Sequence, residues 1–202
     1  EKVMIPEATE IQLTPRNMTE AAVGEYEPFA VGAGAVPVPA MAHAGDGYRY
    51  HVTGLTHDAQ GYPVMSGDCQ DGLVRRLCDK IRDNADRIVR LEEDQVDGCE
   101  VAVISYGITS RVTRAAIDGA RAAGIKVGSI RMLTLWPFCE TRIRELAPEV
   151  KAFVVPEINY GQISLEVERC AAGQAPVTLV PHMGGGVHDP SDIQRAIEEA
   201  AR

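Results

Sequence analysis

Residues 100–133, EVAVISYGITSRVTRAAIDGARAAGIKVGSIRML, decide the fold class of this chain. The segment EVAVISYG (100–107) is a nearly continuous apolar run, which is typical of a strand buried on both faces. SRVTRAAIDGARAAG (110–124) follows with helical spacing, with Ser110 placed as the cap and Gly124 as the stop. IKVGSIRML (125–133) is a second strand. A strand, a helix and another strand in this order predict a parallel pair joined by a right-handed crossover. The predicted packing face of the helix consists of small or branched residues: Val112, Ala115, Ala116 and Gly119.

The same alternation continues to the end of the chain. The predicted elements are a helix CETRIRELA (139–147) closed by Pro148, a strand AFVVPEI (152–158), a helix GQISLEVERCAA (161–172), a strand PVTLVPHM (176–183) and a helix HDPSDIQRAIEEAA (188–201). Asp189 is placed to cap the last helix, with Pro190 in its first turn and Asp192 in the capping-box position. We therefore expect an α/β fold over residues 98–202, with a three-layer parallel sheet.

The residues before this domain lack such a regular pattern. Residues 1–66 are rich in Pro, Gly and Ala, and we expect an extended arm and connector with one or two strands. Within it, YRYHV (48–52) has the period-2 alternation of a half-buried strand. Residues 67–97 are expected to form one long helix, Asp68 to Arg90, of roughly 35 Å, followed by the linker LEEDQVDG (91–98).

Composition limits the possible functions. The formal net charge is −9, and the basic residues are scattered singly, which argues against binding to nucleic acid or anionic lipid. No apolar run approaches the length of a membrane span, so we expect a cytoplasmic protein. The first residue is Glu1, and the chain is interpreted as a possible piece of a longer polypeptide. Its five cysteines are widely spaced and predict neither a disulfide framework nor a metal or cluster site.

The strand-to-helix turns of a parallel sheet meet at one edge, where ligands usually bind. The residues predicted to be neighbours there are Trp136, Glu157, Asn159, Gln162, His182 and His188. Each also has a structural interpretation. Asn159 and Gly161 can form a tight turn, and Trp136 can pack at a sheet edge or a subunit interface. The three glycines between His182 and His188 can form a flexible loop or a phosphate cradle.

Other motifs are missing from the sequence. It contains no G-x-G-x-x-G, no Walker loop and no G-x-S-x-G elbow. His51, His57 and Asp58 could be drawn together as a metal cluster, but a third well-spaced ligand is lacking, so no metal site is predicted.

Three features resemble a known domain. They are Tyr106-Gly107 at the end of a strand, R-x-L-x-x-x-P at residues 131–137, and E-x-N-x-G-Q at residues 157–162. This combination resembles the carboxy-terminal domain shared by transketolase, the β subunits of 2-oxoacid dehydrogenase E1 and the α subunits of 2-oxoacid:ferredoxin oxidoreductases. The E-x-N-x-G-Q turn and the connector GYRYHVTGLTHDAQGYP (47–63) resemble the ferredoxin-dependent branch, and the connector resembles its 2-oxoglutarate type.

The resemblance implies a thiamine-diphosphate enzyme that uses magnesium and a [4Fe–4S] cluster to decarboxylate 2-oxoglutarate oxidatively to succinyl-CoA while reducing ferredoxin. None of these cofactors is expected on this chain alone. Gly45-Asp46-Gly47 resembles the start of a thiamine-diphosphate motif, but the closing asparagine is missing. The expected partners are the β subunit and the pyrimidine-binding part of the α subunit, with ferredoxin and CoA serving the assembled oligomer.

The chain is therefore expected to be a structural and interface domain without catalytic residues. The sheet-edge candidates for cofactor contact are Tyr106, Thr109, Ser110, Glu157, Asn159 and Gln162. The alternatives are a flavodoxin-like module that binds a nucleotide or flavin through YGITS (106–110), a purely structural interaction domain, and a domain of the E1 or transketolase type.

Overall fold

The computed structural model describes residues 4–32 and 37–202, and the chain divides into two compact units, Glu1–Asp83 and Asn84–Arg202. The sequence predicts three parts, with boundaries at residues 66/67 and 97/98, and this division into domains stays a prediction. The elements in chain order are α1 (Gly67–Arg82), α2 (Ala85–Ile88), β1 (Leu91–Asp94), β2 (Val101–Tyr106), α3 (Thr109–Ala122), β3 (Val127–Met132), α4 (Glu140–Leu146), β4 (Ala152–Glu157), α5 (Ile163–Ala171), β5 (Val177–Pro181) and α6 (Pro190–Ala200). No helix of the described residues is both long and apolar enough to cross a membrane.

The second unit is a three-layer α/β sandwich, as predicted. Its sheet has the order β1-β3-β2-β4-β5, and β2 to β5 run parallel. Successive residues of β2 face opposite layers, because strand side chains alternate. Val101 and Val103 pack with α3 and α6, while Ala102 and Ile104 pack with α4 and α5. Two hydrophobic cores, one on each face, therefore hold the sheet.

One strand is antiparallel and was not predicted. Leu91–Asp94, which the sequence analysis assigned to a linker, is strand β1, paired antiparallel with β3 at the edge of the sheet. The acidic side chains of β1 form ion pairs with arginines of β3 and α4. Glu92 lies opposite Arg131, with its carboxylate 2.9 Å from the guanidinium, and Glu93 pairs with Arg142 at 2.8 Å. These cations lie far along the chain, so local composition indicated a solvated linker.

The single long helix predicted from Asp68 to Arg90 is wrong. Helix α1 begins after Ser66, whose hydroxyl accepts a hydrogen bond from the Cys69 amide, and it ends at Arg82. Asn84 then leaves the helical conformation, and only the four-residue α2 follows. Short polar side chains such as Asp83 and Asn84 favour helix ends because they compete for backbone hydrogen bonds.

The predicted strand YRYHV (48–52) is also wrong. The rings of Tyr48 and Tyr50 pack edge-on against Tyr26, at centroid distances of 5.3 and 5.2 Å, and no neighbouring backbone forms a ladder with this segment. Within residues 4–32 and 37–66 the only β-type pairings are two isolated bridges, Met18 with Met41 and His57 with Pro63. Alternation in the sequence here reflects ring packing and not sheet formation.

The start of α3 differs from the prediction. Its N-cap position is Ile108, which provides no side-chain cap, and Ser110 lies inside the first turn. The buried face is shifted relative to the predicted one and consists of Thr109, Thr113, Ala116, Ile117 and Ala120. The last helix begins as predicted. The Asp189 carboxylate accepts a hydrogen bond from the Ser191 amide at 2.8 Å, and Pro190 occupies the first position, whereas the Asp192 carboxylate pairs with Arg195.

Candidate functional site

The polar centre of the second unit is Glu157, the last residue of β4. Its side chain is fully buried, with 0% exposure, at the carboxyl edge of the sheet. A buried carboxylate is stable only when its oxygens are hydrogen-bonded. The connection from β4 to α5 satisfies this requirement, because the chain turns back and presents the first amides of α5 to the carboxylate.

Five donors surround Glu157. Oε1 accepts from the Tyr106 hydroxyl at 2.9 Å, the Ile163 amide at 3.0 Å and the Asn159 side-chain amide at 3.2 Å. Oε2 accepts from the Ser164 amide at 2.9 Å and the Gln162 amide at 3.1 Å. The carboxylate therefore stabilises the amino end of α5 and joins two neighbouring parallel strands, since Tyr106 ends β2.

The same contacts fix the protonation states. Burial favours the neutral form of Glu157, but the hydrogen bonds from the Ser164 and Ile163 amides and from the Tyr106 hydroxyl outweigh it and lower the pKa of the carboxyl. Burial, together with the hydrogen bond to Glu157, raises the pKa of Tyr106 to about 12. At neutral pH the pair is a carboxylate and a neutral phenol. Because its two oxygens already accept five hydrogen bonds, the Glu157 carboxylate is poorly suited to accept a proton from a substrate.

Asn159 and Gly161 complete the turn. The Asn159 side-chain oxygen accepts from the Gly161 amide at 2.8 Å, and its nitrogen donates to the Tyr106 hydroxyl at 3.0 Å. Gly161 has φ +94°, and a Cβ there would lie 2.8 Å from Ser164 Oγ and 3.0 Å from a methyl group of Leu179. The E-x-N-x-G-Q segment is thus a turn closed around its own glutamate. Direct cofactor contact by these residues stays a prediction.

Thr109 and Ser110, the other two candidates, lie in the first turn of α3. Thr109 is buried, and its carbonyl accepts from the Thr113 hydroxyl at 2.9 Å. The Ser110 hydroxyl hydrogen-bonds with the Ser105 hydroxyl at 3.1 Å. The Ser110 hydroxyl therefore joins α3 to β2, whereas the Thr109–Thr113 bond lies within α3. The predicted role of Thr109 and Ser110 in cofactor binding is not tested by this geometry.

The two histidines of HMGGGVHD (182–189) lie together. Their ring centroids are 5.3 Å apart, and the His182 amide donates to the Glu157 carbonyl at 2.8 Å. His188 is buried, and its Nε2 lies 2.7 Å from the Val180 carbonyl oxygen, so this nitrogen carries a proton. The other ring nitrogen, Nδ1, is buried with no hydrogen-bond partner within the described residues. The Trp136 side chain, by contrast, is 69% exposed.

Glu157, Asn159 and Gln162 lie together as predicted, but the sequence pattern does not indicate how they interact. Gln162 contributes its backbone amide, and Ile163 and Ser164, which had not been singled out, contribute theirs. The sequence signal for this arrangement is an acidic residue at the end of a strand, five to seven residues before the first amides of the next helix. Free amides at a helix amino terminus attract a carboxylate.

The fold and this site define a class: an α/β domain whose buried polar centre holds neighbouring elements together. Residues 99–193 match the family described as pyruvate:ferredoxin oxidoreductase core domain II. The chain is 43% identical over 198 residues to 2-oxoglutarate synthase subunit KorA of Methanothermobacter marburgensis, covering 98% of this chain and 52% of that protein.

A shorter match of 45% identity over 113 residues is to ketoisovalerate oxidoreductase subunit VorB of the same organism, covering 56% of this chain and 32% of that protein. Among solved structures, the 2-oxoglutarate:ferredoxin oxidoreductase from Magnetococcus marinus has the same fold, with a TM-score of 0.79 and 22% identity over 98% of this chain and 34% of that chain.

Residues 99–193 thus match a core domain of these oxidoreductases, and the resemblance to 2-oxoacid:ferredoxin oxidoreductases seen in the sequence is confirmed. The chain spans about half the length of the KorA relative.

The residues that the structure describes do not fit the metal groups that the family resemblance implies. Cys99, Cys139 and Cys170 are buried, and Cys69 and Cys78 are half-buried in the other unit. In residues 4–32 and 37–202, no group of three or more His, Cys, Asp or Glu side chains could hold a metal ion. A [4Fe–4S] cluster needs four thiolates in one place, so no step of the reaction is assigned to such a group on these residues.

Proposed function

We propose that this chain is part of the α subunit of a thiamine-diphosphate-dependent 2-oxoglutarate:ferredoxin oxidoreductase, in which it serves as a structural and interface domain. The assembled enzyme decarboxylates 2-oxoglutarate oxidatively, transfers the succinyl group to CoA and passes two electrons to ferredoxin. In this proposal the thiamine diphosphate, magnesium and [4Fe–4S] cluster are held by the β subunit and the pyrimidine-binding part of the α subunit, in the cytoplasm.

The observation that carries the proposal is the 43% identity to a 2-oxoglutarate synthase subunit across 98% of the chain. Both units are included in that match, so the arm and connector are shared as well as the α/β domain. The site geometry supports a structural role. The acid at the ligand-binding edge, Glu157, is buried and already accepts five hydrogen bonds, and Tyr106 stays protonated at neutral pH.

A branched-chain 2-oxoacid is the competing substrate class, because the VorB relative is 45% identical over 113 residues. That match covers 56% of the chain, whereas the KorA match covers 98%. The greater extent of the KorA match favours 2-oxoglutarate.

The test is to isolate the complex through an affinity tag on this chain and to measure CoA-dependent reduction of ferredoxin with 2-oxoglutarate and with 2-oxoisovalerate. We expect a kcat/KM for 2-oxoglutarate at least ten times higher. A preference for 2-oxoisovalerate would overturn the substrate assignment. The chain purified alone is expected neither to turn over an oxoacid nor to bind thiamine diphosphate tightly, and either activity would contradict the structural role.

A further inference from the structure

The exposed apolar side chains of the second unit are confined to one edge. In residues 84–202, every large hydrophobic side chain that is exposed lies in a strand-to-helix turn at the carboxyl edge of the sheet or in the first turn of the helix after it. They are Ile108, Leu133, Leu135, Trp136, Ile158, Tyr160, Leu165, Met183 and Val187. Exposed apolar residues are usually scattered singly over a surface, so such a distribution marks a contact surface. We call these nine residues the apolar rim.

The apolar rim carries almost no charge. Apart from His182 and His188, the turns 107–108, 133–139, 158–162 and 182–189 contain one acidic or basic residue, Asp189, whose carboxylate is used to cap α6. The opposite edge of the sheet differs sharply. Its turns carry Asp97, Glu100, Lys126, Glu149 and Lys151, and the ammonium group of Lys151 lies 3.3 Å from the Glu100 carboxylate. The charged edge has the composition of a solvated surface, and the apolar rim does not.

This composition selects among possible occupants. Phosphorylated ligands and anionic membranes are usually contacted by Lys or Arg, and the rim turns contain neither. Depletion of charge with enrichment in Trp, Tyr and Met is the composition of the centre of a protein interface, and the most apolar interfaces belong to permanent complexes. The KorA and VorB relatives are named as enzyme subunits, which fits a permanent protein partner.

We infer that the apolar rim is the docking surface for a companion subunit of the same enzyme, and that the facing surface of that subunit is apolar and uncharged. The identity of the companion rests on the proposed function. The rim itself rests on the exposure and charge of the nine residues. Trp136, at 69% exposure, and Tyr160, at 79%, are the expected anchors, because buried Trp and Tyr dominate interface energies.

Trp136 is the only tryptophan of the chain, so it reports on the rim directly. Chain labelled with 5-fluorotryptophan gives one ¹⁹F resonance, and the unlabelled β subunit is titrated into it. We expect the resonance to shift or broaden on binding and its solvent-isotope shift to fall as the indole is buried.

Two charge-introducing variants and a matched control test the surface. Tyr160→Asp and Leu165→Asp place a carboxylate in the rim, and each is expected to weaken binding of the β subunit about tenfold or more. Gln174→Asp places the same charge in an exposed turn at the opposite edge and should bind as the unmodified chain does. Circular dichroism and the thermal midpoint of each variant, measured without the partner, show that the fold is retained.

The outcomes separate this inference from the proposed function. If the β subunit binds but the ¹⁹F resonance is unchanged and both rim variants bind normally, the docking surface is wrong while the proposed function stands. If the β subunit does not bind the unmodified chain, the proposed function loses its partner. A ¹⁹F shift that depends only on the concentration of the chain identifies a second copy as the occupant, and one caused by phosphatidylcholine vesicles identifies a membrane. Either result overturns the assignment to a companion subunit.

Discussion

The two units of the chain differ in how they are held together. The second unit, Asn84–Arg202, contains every buried hydrophobic side chain of the described residues except Pro28, nearly all of them in two cores on the faces of one sheet. In the described part of the first unit, residues 4–32 and 37–83, Pro28 is the only side chain that is buried. Helix α1 there has no buried residue, and Val74 and Leu77 are each 44% exposed.

The difference shows which unit is stabilised by its own packing. Hydrophobic burial is the main favourable term in folding, and the second unit has far more of it than the first. The first unit relies on individual contacts such as the Tyr26 hydroxyl to the Ala40 carbonyl at 2.9 Å and the Tyr48 hydroxyl to the Ala21 carbonyl at 2.8 Å. We expect this unit to become more stable when its exposed apolar side chains are covered by another surface.

The largest expected effect is the loss of stability on truncating one core side chain of the second unit, compared with truncating an exposed side chain of the first. Phe153 is fully buried in β4, and Phe153→Ala should lower the free energy of unfolding by about 3–5 kcal/mol because it leaves a cavity. Leu77→Ala in α1 removes a similar apolar group from an exposed position and should cost less than about 1 kcal/mol. Urea denaturation of both variants measures the difference. Equal losses would mean that the first unit has a core of its own.

The second prediction concerns the buried carboxylate. Glu157→Gln keeps the shape of the side chain but directs an NH₂ group at a cluster of donors, so one or more amides lose their acceptor. The expected loss of stability is about 2–4 kcal/mol, measured in urea. The control is Tyr106→Phe, which removes one donor and leaves four, and should cost about 1 kcal/mol. If Glu157→Gln were neutral, the carboxylate would not hold α5 in place.

The stability of the second unit should also depend on pH through Glu157. The pKa of this carboxyl is lowered in the folded state relative to its ordinary value of 4.5. Its contribution is therefore fully present above 4.5 and is lost as the pH falls through the lower, folded pKa. In urea titrations between pH 7 and pH 3, Glu157→Gln should lose less stability on acidification than the unmodified chain. Parallel pH curves for the two proteins would contradict this assignment.

The smallest effect lies in the first unit. Ser66→Ala removes the hydroxyl that accepts from the Cys69 amide and should destabilise α1 by about 1 kcal/mol. Amide exchange should quicken in the first turn of α1 and stay unchanged in β2 to β5. Ser66→Asp keeps a capping acceptor and should restore the slower exchange. If the Ala variant also loosened the sheet, the two units would not be independent in stability.

The sequence was most informative where residues interact with near neighbours or follow a strict period. The four parallel strands and helices α3 to α6 were predicted because buried strands and amphipathic helices leave such patterns in Val101–Tyr106 and the segments after it. Strand β1 was missed because Glu92 and Glu93 are stabilised by Arg131 and Arg142, far away in the sequence. Local patterns in the first unit misled for a related reason, since its tyrosines pack on one another without forming a sheet.

The location of the candidate site was predictable from the sequence, but its burial and hydrogen bonds were not. Parallel topology alone puts Tyr106 and Glu157 at the same edge, since both end strands. That the carboxylate would be fully buried, and would use the backbone amides of Gln162, Ile163 and Ser164, depends on the path of the turn. Likewise, the lack of a hydrogen-bond partner for His188 Nδ1 among residues 4–32 and 37–202 follows from side-chain placement, which no spacing rule provides.

Amide hydrogen–deuterium exchange, measured on the chain alone and in a complex with the proposed β subunit, separates a second unit that is stable by itself from a first unit that depends on a partner. For the free chain, we expect slow exchange in β2, β3 and β4, intermediate exchange in α1 and fast exchange in the rest of residues 4–32 and 37–83. In the complex, protection should appear in the first unit and in the turns of the apolar rim, while the sheet changes little. Slow exchange in the first unit of the free chain, or a complex that protects neither region, would contradict the account.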